Sequence, residues 1–329
     1  MRFKKLIISS LFILLLCSCA KIKPKYHKLE GNVFGTSFHV IYKDTKKKDY
    51  SIEIDSLFQL INNSLSTYAP NSSISKINKG DSTVVDKYFK EVYIKALRIY
   101  RETEGIFDPT IGVLVNAWGF GPGKEQEDLT QENIENLLAF VGYDKVKLTK
   151  DNMVFIQPGM YIDYNAIAKG YGVDIIARFF ENLSIEDYMV EIGGEIRVRG
   201  RNENNEFWRI GIEKPNFDGT RSLQEVVSLT NEAMATSGNY RKFKIDPSTN
   251  EKYVHTIDTK TGYTAKRNLL SASVISSIDC ADVDGYATAF MAMGFEKTKT
   301  FIKTHPELKV FLVYLDEQGN TKTYSNFLE

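Results

Sequence analysis

The sequence predicts an α+β fold in which two intimately packed lobes contain largely antiparallel sheets and flanking helices. The first observation is that apolar residues recur at helical spacing in several long segments. The second is that most of the chain after residue 145 divides into short segments rich in β-forming residues. Short strands that follow one another pair as antiparallel hairpins, and a few long helices among them are typical of an α+β protein.

The predicted elements follow from these patterns in chain order. A first strand covers residues 33–42, and a cluster of glycine and proline at 119–123 is the clearest loop. Thr130 is a candidate N-cap for the helix that follows it. The predicted helices are 51–65, 87–103, 110–118, 130–141, 166–182, 284–293 and 295–303. The other predicted strands are 145–149, 153–156, 160–163, 187–191, 195–200, 207–213, 224–230, 239–245, 252–257, 270–277, 309–315 and 320–325.

The N-terminal residues have the pattern of a signal peptide. A basic start precedes an apolar run, residues 6–16, that is too short to cross a bilayer. Cleavage before Cys19 is expected, because Leu16-Cys17-Ser18-Cys19 resembles the bacterial lipobox, in which that cysteine is lipidated. An ordinary secretory signal with incidental cysteines is the alternative. We therefore predict a signal peptide over 1–18, a lipid-anchored tether over 19–30 and one folded domain over 31–329.

Composition and missing motifs exclude several functional classes. Basic and acidic residues balance at 42 each, which argues against a nucleic-acid-binding surface. If Cys19 is lipidated, Cys280 is the one cysteine left in the mature chain, so no internal disulfide is expected. The sequence contains no P-loop, no dinucleotide-binding glycine motif, no Gly-x-Ser-x-Gly elbow and no His-Glu-x-x-His zinc motif.

Residues 159–174 are the most informative stretch of the sequence. A short apolar run ends on Asp163, and a turn of small residues leads into a helix with Lys169 near its first turn. A carboxylate, turn carbonyls and a cation around a helix N-terminus suit a phosphate group or a hard metal ion. The alternative is that Asp163 only caps the helix while Lys169 lies in solvent.

A second cluster of polar residues opens a later helix, within residues 281–290. Asp284 and Thr288 are four residues apart, so they share one helix face. Carboxylate and hydroxyl oxygens are ligands that suit Mg²⁺ and not zinc. The alternative is that Asp282 or Asp284 caps the helix while Thr288 bonds to a backbone carbonyl.

Seven segments resemble, in the same order, the ApbE family of FAD:protein FMN transferases. Residues 163–174 are similar to its Asp-Leu-Gly-Gly-Ile-Ala-Lys-Gly-Tyr-Ala-Val-Asp signature, and 107–112 to its Phe-Asp-Pro-Thr-Val-Gly. The resemblance covers about residues 31–325 and implies the ApbE-like, T-fold-related form of the α+β fold. The other matching segments are 35–36, 65–78, 191–195, 235–241 and 255–262.

The resemblance implies that FAD binds between the lobes. Phe34 stands where the family usually has Met, so bulk is kept and the flexible thioether is lost. Tyr68 would pack on or beside the flavin or adenine ring. The positions implied to bind FAD are Phe34, Tyr68, Ile106, Phe107, Asp108, Asp163, Lys169 and Ile257.

The resemblance also implies a Mg²⁺ site. Its ligands would be the carbonyl oxygen of Ala166, the carboxylate of Asp284 and the hydroxyl of Thr288, completed by phosphate oxygens. Ala287 falls where some members have a second acid, so this site would carry one fewer negative charge.

The implied reaction is Mg²⁺-dependent transfer of FMN from FAD to a Thr or Ser hydroxyl of an exported acceptor flavoprotein, with release of AMP. Lys169 and Asp284 would act on the phosphates, and His255 is the candidate general base, with a purely structural histidine as the alternative. An FAD pyrophosphatase and a non-catalytic flavin-binding lipoprotein are the alternative functions. The expected location is the periplasmic face of the inner or outer membrane, and the expected acceptor is a subunit of a membrane redox complex.

Overall fold

The computed structural model of the protein describes residues 25–46, 48–123, 125, 129–216, 218, 220–239, 243–245 and 252–328. The predicted signal peptide over 1–18 and the expected lipidation site Cys19 lie outside these residues. The predicted tether over 19–30 needs a correction, because residues 25–30 pair with the next strand and belong to the sheet. Among the described residues, no helix combines the length and the apolar composition needed to cross a membrane.

An eight-stranded sheet, in which every neighbouring pair is antiparallel, forms the centre of the described structure. Its strands, in order across the sheet, are β1 (Lys25–Val33), β2 (Thr36–Asp44), β5 (Tyr188–Ile192), β6 (Glu195–Arg199), β9 (Glu232–Gly238), β12 (Leu269–Ser276), β13 (Lys309–Leu315) and β14 (Thr321–Ser325). The shorter pairs among the described residues are β3 (Lys147–Leu148) with β4 (Val154–Phe155), β7 (Trp208–Glu213) with β8 (Leu223–Leu229), and β10 (Phe243–Ile245) with β11 (Lys252–Val254).

Helices cover one face of the sheet and flank its ends. The α-helices are α1 (Ser51–Leu65), α2 (Ser73–Asn78), α3 (Lys87–Glu102), α4 (Gly112–Ala117), α5 (Gln131–Leu138), α6 (Ala168–Asn182), α7 (Cys280–Met293) and α8 (Phe295–Ile302). Short 3₁₀ turns cover Pro109–Ile111 and Tyr143–Lys145. Helix α7 packs against β9, β12, α3 and α6, and nearly all of its residues are buried, which explains why its sequence is apolar on every side.

The two faces of the sheet are covered by different elements. On β2, the side chains of Phe38, Val40 and Tyr42 alternate with more exposed ones and enter the main core beneath the helices. On the opposite face, the β7–β8 hairpin packs Trp208 and Ile210 against the sheet in a second apolar cluster. The helix-covered face therefore carries the larger core, and the chemistry-bearing residues predicted on helices lie on that side.

Two adjacent hairpin turns meet at one end of the sheet. Phe34 and Gly35 join β1 to β2, while Gly193 and Gly194 join β5 to β6. The register pairs β2 directly with β5, and a Cβ atom on Gly193 would lie 2.7 Å from Thr36 Cγ2. Glycine is needed at this tip because its backbone is in the left-handed region and has a close neighbour. These turns set the positions of Phe34 and of the start of β6.

The predicted α+β class with largely antiparallel sheets is confirmed, but several local predictions are wrong. Residues 160–163 are not a strand, because both backbone groups of Ile162 bond to the side-chain amide of Asn78, each at 2.8 Å. The strand predicted over 239–245 begins earlier, as β9, and β10 is a separate short strand. Helix α7 starts four residues before its predicted start at residue 284, and helix α2 was not predicted.

Candidate active site

Helices α6 and α7 begin side by side. Helix α6 starts at Ala168, after a turn that carries Ala166, and α7 starts at Cys280. Their first turns touch at Gly170, where a Cβ atom would lie 2.4 Å from the carbonyl oxygen of Cys280. Only glycine permits this approach, because the obstructing atom belongs to the backbone. We call residues 166–170 and 280–288 together the paired helix N-termini.

Each of these two helices is capped by an aspartate from the other. The residue that precedes each helix makes no side-chain capping hydrogen bond. Instead, the Gly170 amide donates to Asp284 Oδ2, with an N···O distance of 3.0 Å. In return, the amides of Cys280 and Ala281 donate to the two carboxylate oxygens of Asp174, each at 2.8 Å. First-turn amides lack an acceptor within their own helix, so this exchange satisfies both helix starts.

The local capping roles considered for the acidic residues are therefore wrong. Asp163 Oδ1 accepts the amide of Asn165 at 2.7 Å and so stabilises the turn before α6, without capping that helix. Asp284 caps α6 and not its own helix. Asp282 forms ion pairs with Lys95 and Arg98, at 3.0 and 2.7 Å.

The exchange of caps affects the predicted metal ligands. The Gly170 amide belongs to the first turn of α6, so it has no acceptor within that helix. That amide bonds to Asp284 instead, so it does not occupy the Ala166 oxygen. Thr288 lies one turn after Asp284, half-buried, with its Oγ1 3.2 Å from Ser237 Oγ on β9. Ala287 is fully buried in the main core and adds no side-chain oxygen.

The donor set fits a hard cation. Among the described residues, no group of three or more His, Cys, Asp or Glu side chains is arranged to hold a metal ion. The predicted set has one carboxylate, together with a backbone carbonyl and a hydroxyl, and Mg²⁺ commonly takes few protein oxygens beside water and phosphate. Close by, Glu195 is buried and its Oε2 has no hydrogen-bond partner, which leaves negative charge only partly compensated there.

Lys169 supplies the positive charge at the paired helix N-termini. Its Nζ lies 2.7 Å from Glu195 Oε1, and Glu195 follows the glycine turn between β5 and β6. Burial opposes the charged form, but the carboxylates of Glu195 and Asp284 outweigh it and raise the pKa of Lys169. Burial is the main cause that raises the pKa of Asp284 to about 7, with Lys169 opposing and Glu195 adding to the effect. Lys169 is therefore an ammonium group held between two acids.

An open groove adjoins the segment that leads into α6. It has a volume of about 480 Å³, and Tyr68 on its wall has 63% of its surface exposed. The charge of Asp163 contributes to a raised pKa of Tyr68, after the larger effect of burial, which puts the groove near the start of α6. We call it the aromatic groove; its lining includes Thr67, Tyr68, Pro70, Asn78, Pro122 and Tyr161.

The comparison with protein families decides to which group this architecture belongs. The sequence model of the ApbE family matches residues 34–312. The chain belongs to the ApbE family. A Haemophilus influenzae protein named FAD:protein FMN transferase is 36% identical, over 98% of this chain and 96% of the relative. A Vibrio cholerae protein of the same name is 35% identical, over 93% of this chain and 92% of the relative.

Solved structures of ApbE proteins have the same fold. The flavin transferase ApbE from Vibrio cholerae superposes with a TM-score of 0.81 at 32% identity, covering 92% of this chain and 98% of that one. The apo form of the Pseudomonas stutzeri flavinyl transferase ApbE also gives 0.81, at 27% identity, covering 92% and 95%. Residues 34–312, which the family model matches, include both the paired helix N-termini and the lining of the aromatic groove.

The positions that the ApbE resemblance implied for FAD have different surroundings. Phe34 packs on α6, since a Cβ atom on Gly172 would lie 2.9 Å from its ring. Phe107 is buried near Gly285 of α7, and Ile106 before it is half-buried. Ile257 is buried in a small apolar cluster with helices α4 and α5. Of the implied FAD positions, Tyr68 lines the aromatic groove, whereas Phe107 and Ile257 are buried in apolar clusters.

Asp108 has a different role from the other implied FAD positions. Its carboxylate accepts both the amide and the hydroxyl of Thr110, at 2.7 and 2.5 Å, and the amide of Tyr143 at 3.2 Å. Burial, which these bonds oppose, raises the pKa of Asp108 to about 6. The side chain is therefore committed to holding the segment before α4.

His255 lies beside the glycine-rich loop over residues 119–123. It precedes the bridge formed by Ile257 and Thr264, and its ring stacks edge-on with Phe120, with centroids 6.4 Å apart. Phe120 is two residues before Pro122, which lines the aromatic groove, so His255 contacts the loop that forms part of the wall of that groove.

Sequence reasoning missed three contributors to the site. Glu195 was part of a matching segment, but nothing in the sequence linked it to Lys169, 26 residues earlier. Asp174 and Ser237 were likewise given no role, although each contacts a predicted site element. An acid that ends a Gly-Gly hairpin turn is the signal that could have identified Glu195, because such turns present the next residue at a fixed place.

Proposed function

We propose that this chain transfers FMN from FAD to a Thr or Ser hydroxyl of an acceptor protein and releases AMP. The names of its relatives support the flavin transfer. The single observation that carries the finer proposal is the Gly170 amide bonded to Asp284, which brings the cation-binding and phosphate-binding candidates into one place. The fixed positive charge of Lys169 and a cation held by Asp284 would each favour a diphosphate at this place.

The metal in this proposal is Mg²⁺, held by the Ala166 carbonyl, Asp284 and Thr288. When bound, it would neutralise negative charge on the phosphate oxygens of FAD. The buried carboxylate of Asp284 and the only partly compensated charge of Glu195 support a cation here, because a buried site rich in acids favours one.

Lys169 acts on the charge that grows during transfer. The acceptor hydroxyl attacks the phosphorus on the FMN side, and the phosphate bond to AMP breaks, so negative charge increases on the leaving oxygen. Lys169 stays protonated at neutral pH because of its two acidic neighbours, and Glu195 fixes its direction. A preoriented ammonium stabilises this charge without reorganisation.

His255 takes the proton of the acceptor hydroxyl in this proposal. Its contact with the loop beside the aromatic groove is consistent with a polypeptide hydroxyl that arrives from solvent while FAD occupies the groove. Tyr68 would cover one side of the flavin or adenine ring and limit the access of water, which favours transfer over hydrolysis.

We further propose that the protein is exported and held by a lipid on Cys19 at the periplasmic face of the inner or outer membrane. The lipobox-like sequence supports this location. The acceptor would then be an exported flavoprotein subunit of a membrane redox complex.

The full-length protein, FAD, Mg²⁺ and a Thr-containing acceptor polypeptide test the reaction in one assay. Covalent FMN on the acceptor with equimolar AMP is the expected result, and chelation of Mg²⁺ should stop both. FMN and AMP without labelled acceptor would identify a pyrophosphatase, and unchanged FAD would identify a binding protein.

A further inference from the structure

Asp174 is a buried acid that has no contact with the predicted ligands but holds the helix that carries one of them. It is fully buried on α6, and it accepts the first two amides of α7. Its Oδ1 also lies 2.7 Å from Arg197 Nη1 on β6. A buried carboxylate with three donors is strongly fixed, and it fixes what it binds.

The start of α7 depends on Asp174 because its own N-cap residue is otherwise engaged. The carboxylate of Asp279 bonds to Lys95, Arg178 and Arg197, at 2.7, 2.7 and 2.8 Å. It makes no capping hydrogen bond to α7. Without Asp174, the first-turn amides of α7 would therefore lose the acceptor that joins them to α6.

Strand β6 joins this anchor to the charged groups of the site. Arg197 and Glu195 are two residues apart on β6, so their side chains leave the same face of the strand. One bonds to Asp174 and the other to Lys169, and both of those residues are on α6. The strand thus holds α6 at two points, and α6 holds the start of α7.

We propose that Asp174, oriented by Arg197, is a positioning residue that fixes Asp284 of α7 relative to Lys169 of α6. This inference rests on the proposed function only for its effect on turnover. A small shift of α7 would separate Asp284 from the Gly170 amide and misplace the cation site. Outer residues that orient metal ligands typically change metal affinity or activity by about 10- to 100-fold when they are replaced.

The decisive variant is Asp174→Asn, which keeps the size of the side chain and removes its charge. In the detergent-solubilised full-length protein, we expect Mn²⁺ alone, followed by electron paramagnetic resonance of the free ion, to bind at least about 10-fold more weakly. We expect kcat for AMP release to fall by about as much, with KM for FAD changed by less than about two-fold.

Asp282→Asn is the matched control. Asp282 is equally buried in the first turns of α7 and ion-paired, but it is two residues from Asp284 and so lies about 200° around the helix. A general loss of α7 stability would affect both variants alike. An equal weakening of Mn²⁺ binding in Asp174→Asn and Asp282→Asn would overturn the inference.

Arg197→Lys decides the matter if Asp174→Asn does not fold. Lysine keeps the charge but has a single nitrogen, so it cannot hold Asp174 and Asp279 with one nitrogen and Glu181 with a second, as Arg197 does. Weaker Mn²⁺ binding in this variant supports the inference, and binding within about two-fold of wild type contradicts it.

Failure of the proposed function gives a different result from failure of this inference. If the proposed function is wrong, wild-type protein binds Mn²⁺ but releases no AMP. Wild-type protein that binds no Mn²⁺ would overturn the positioning role itself.

Discussion

The paired helix N-termini and the aromatic groove adjoin each other but are built by opposite means. In the paired helix N-termini, amides, carboxylates and an ammonium are mostly buried and bonded to one another. In the aromatic groove, Tyr68 is 63% exposed. Groups held by several bonds are already oriented for charge stabilisation, whereas an exposed ring can adapt to a flat ligand. We therefore expect the paired helix N-termini to govern the rate, and the aromatic groove to govern affinity for FAD.

Of the variants considered, Asp284→Ala should cause the largest loss of activity. It removes the proposed metal ligand and the cap of α6 in one step, and loss of a single fixed electrostatic group typically costs about 10²- to 10³-fold in kcat. AMP release measured by chromatography should fall by that amount or more. Asp282→Ala, on the opposite side of α7, is the control for folding. Full activity in Asp284→Ala would show that the paired helix N-termini do not govern the rate.

Asp108 is a buried carboxylate without a cationic donor, and it contrasts with the carboxylates of the paired helix N-termini. Asp108 accepts bonds from neutral donors only, those of Thr110 and Tyr143, and burial raises its pKa to about 6 from the usual 3.8. The folded state therefore holds this proton more tightly than the unfolded state does, and ionisation destabilises the fold. The contribution of Asp108 to the free energy of unfolding should fall as pH rises from about 4 to 6.

The expected size of this fall is about 3 kcal/mol, from about two pKa units at 1.4 kcal/mol each. Urea unfolding of wild type and Asp108→Asn at several pH values in that range gives the free energy of unfolding of each protein. The difference between their pH dependences measures the contribution of Asp108. Identical pH dependence in the two proteins would mean that Asp108 does not titrate in this window.

Periodic elements of the fold were predictable, but elements made of small residues were not. Helix α3 and strand β13 have strong apolar patterns and appear close to their predicted bounds. Strand β9 has the sequence Glu-Ala-Met-Ala-Thr-Ser-Gly, which has low β-propensity, and it is a strand because it lies at the centre of the sheet beneath α7. Tertiary contact overrides local preference there.

The candidate site was predictable as a set of residues but not as an arrangement. Residues 163–169 and 284–288 were singled out by their oxygen atoms and charge. Local rules, however, assign a cap to the residue just before a helix, and here both caps come from the partner helix. Spacing in one sequence cannot show such an exchange, because it depends on a glycine that lets two backbones touch.

His255→Gln tests whether the groove side also contributes to the rate. If His255 is the general base, kcat for transfer should fall by about 10²-fold, with FAD affinity and melting temperature unchanged. His305→Gln is the matched control, since His305 stacks on Phe301 of α8, with centroids 3.9 Å apart. Loss of thermal stability with little change in kcat would instead identify His255 as a structural residue.

Tyr68→Ala gives the smallest expected effect and separates binding from turnover. Because the side chain is mostly exposed, its removal should change the free energy of unfolding by less than about 0.5 kcal/mol. Loss of one ring–ring contact costs about 1 kcal/mol, so KM for FAD should rise about five-fold while kcat is nearly unchanged. Tyr68→Phe keeps the ring and should match wild type in KM. A fall in kcat at constant KM in Tyr68→Ala would contradict the division of roles, since the exposed ring would then act in the chemical step.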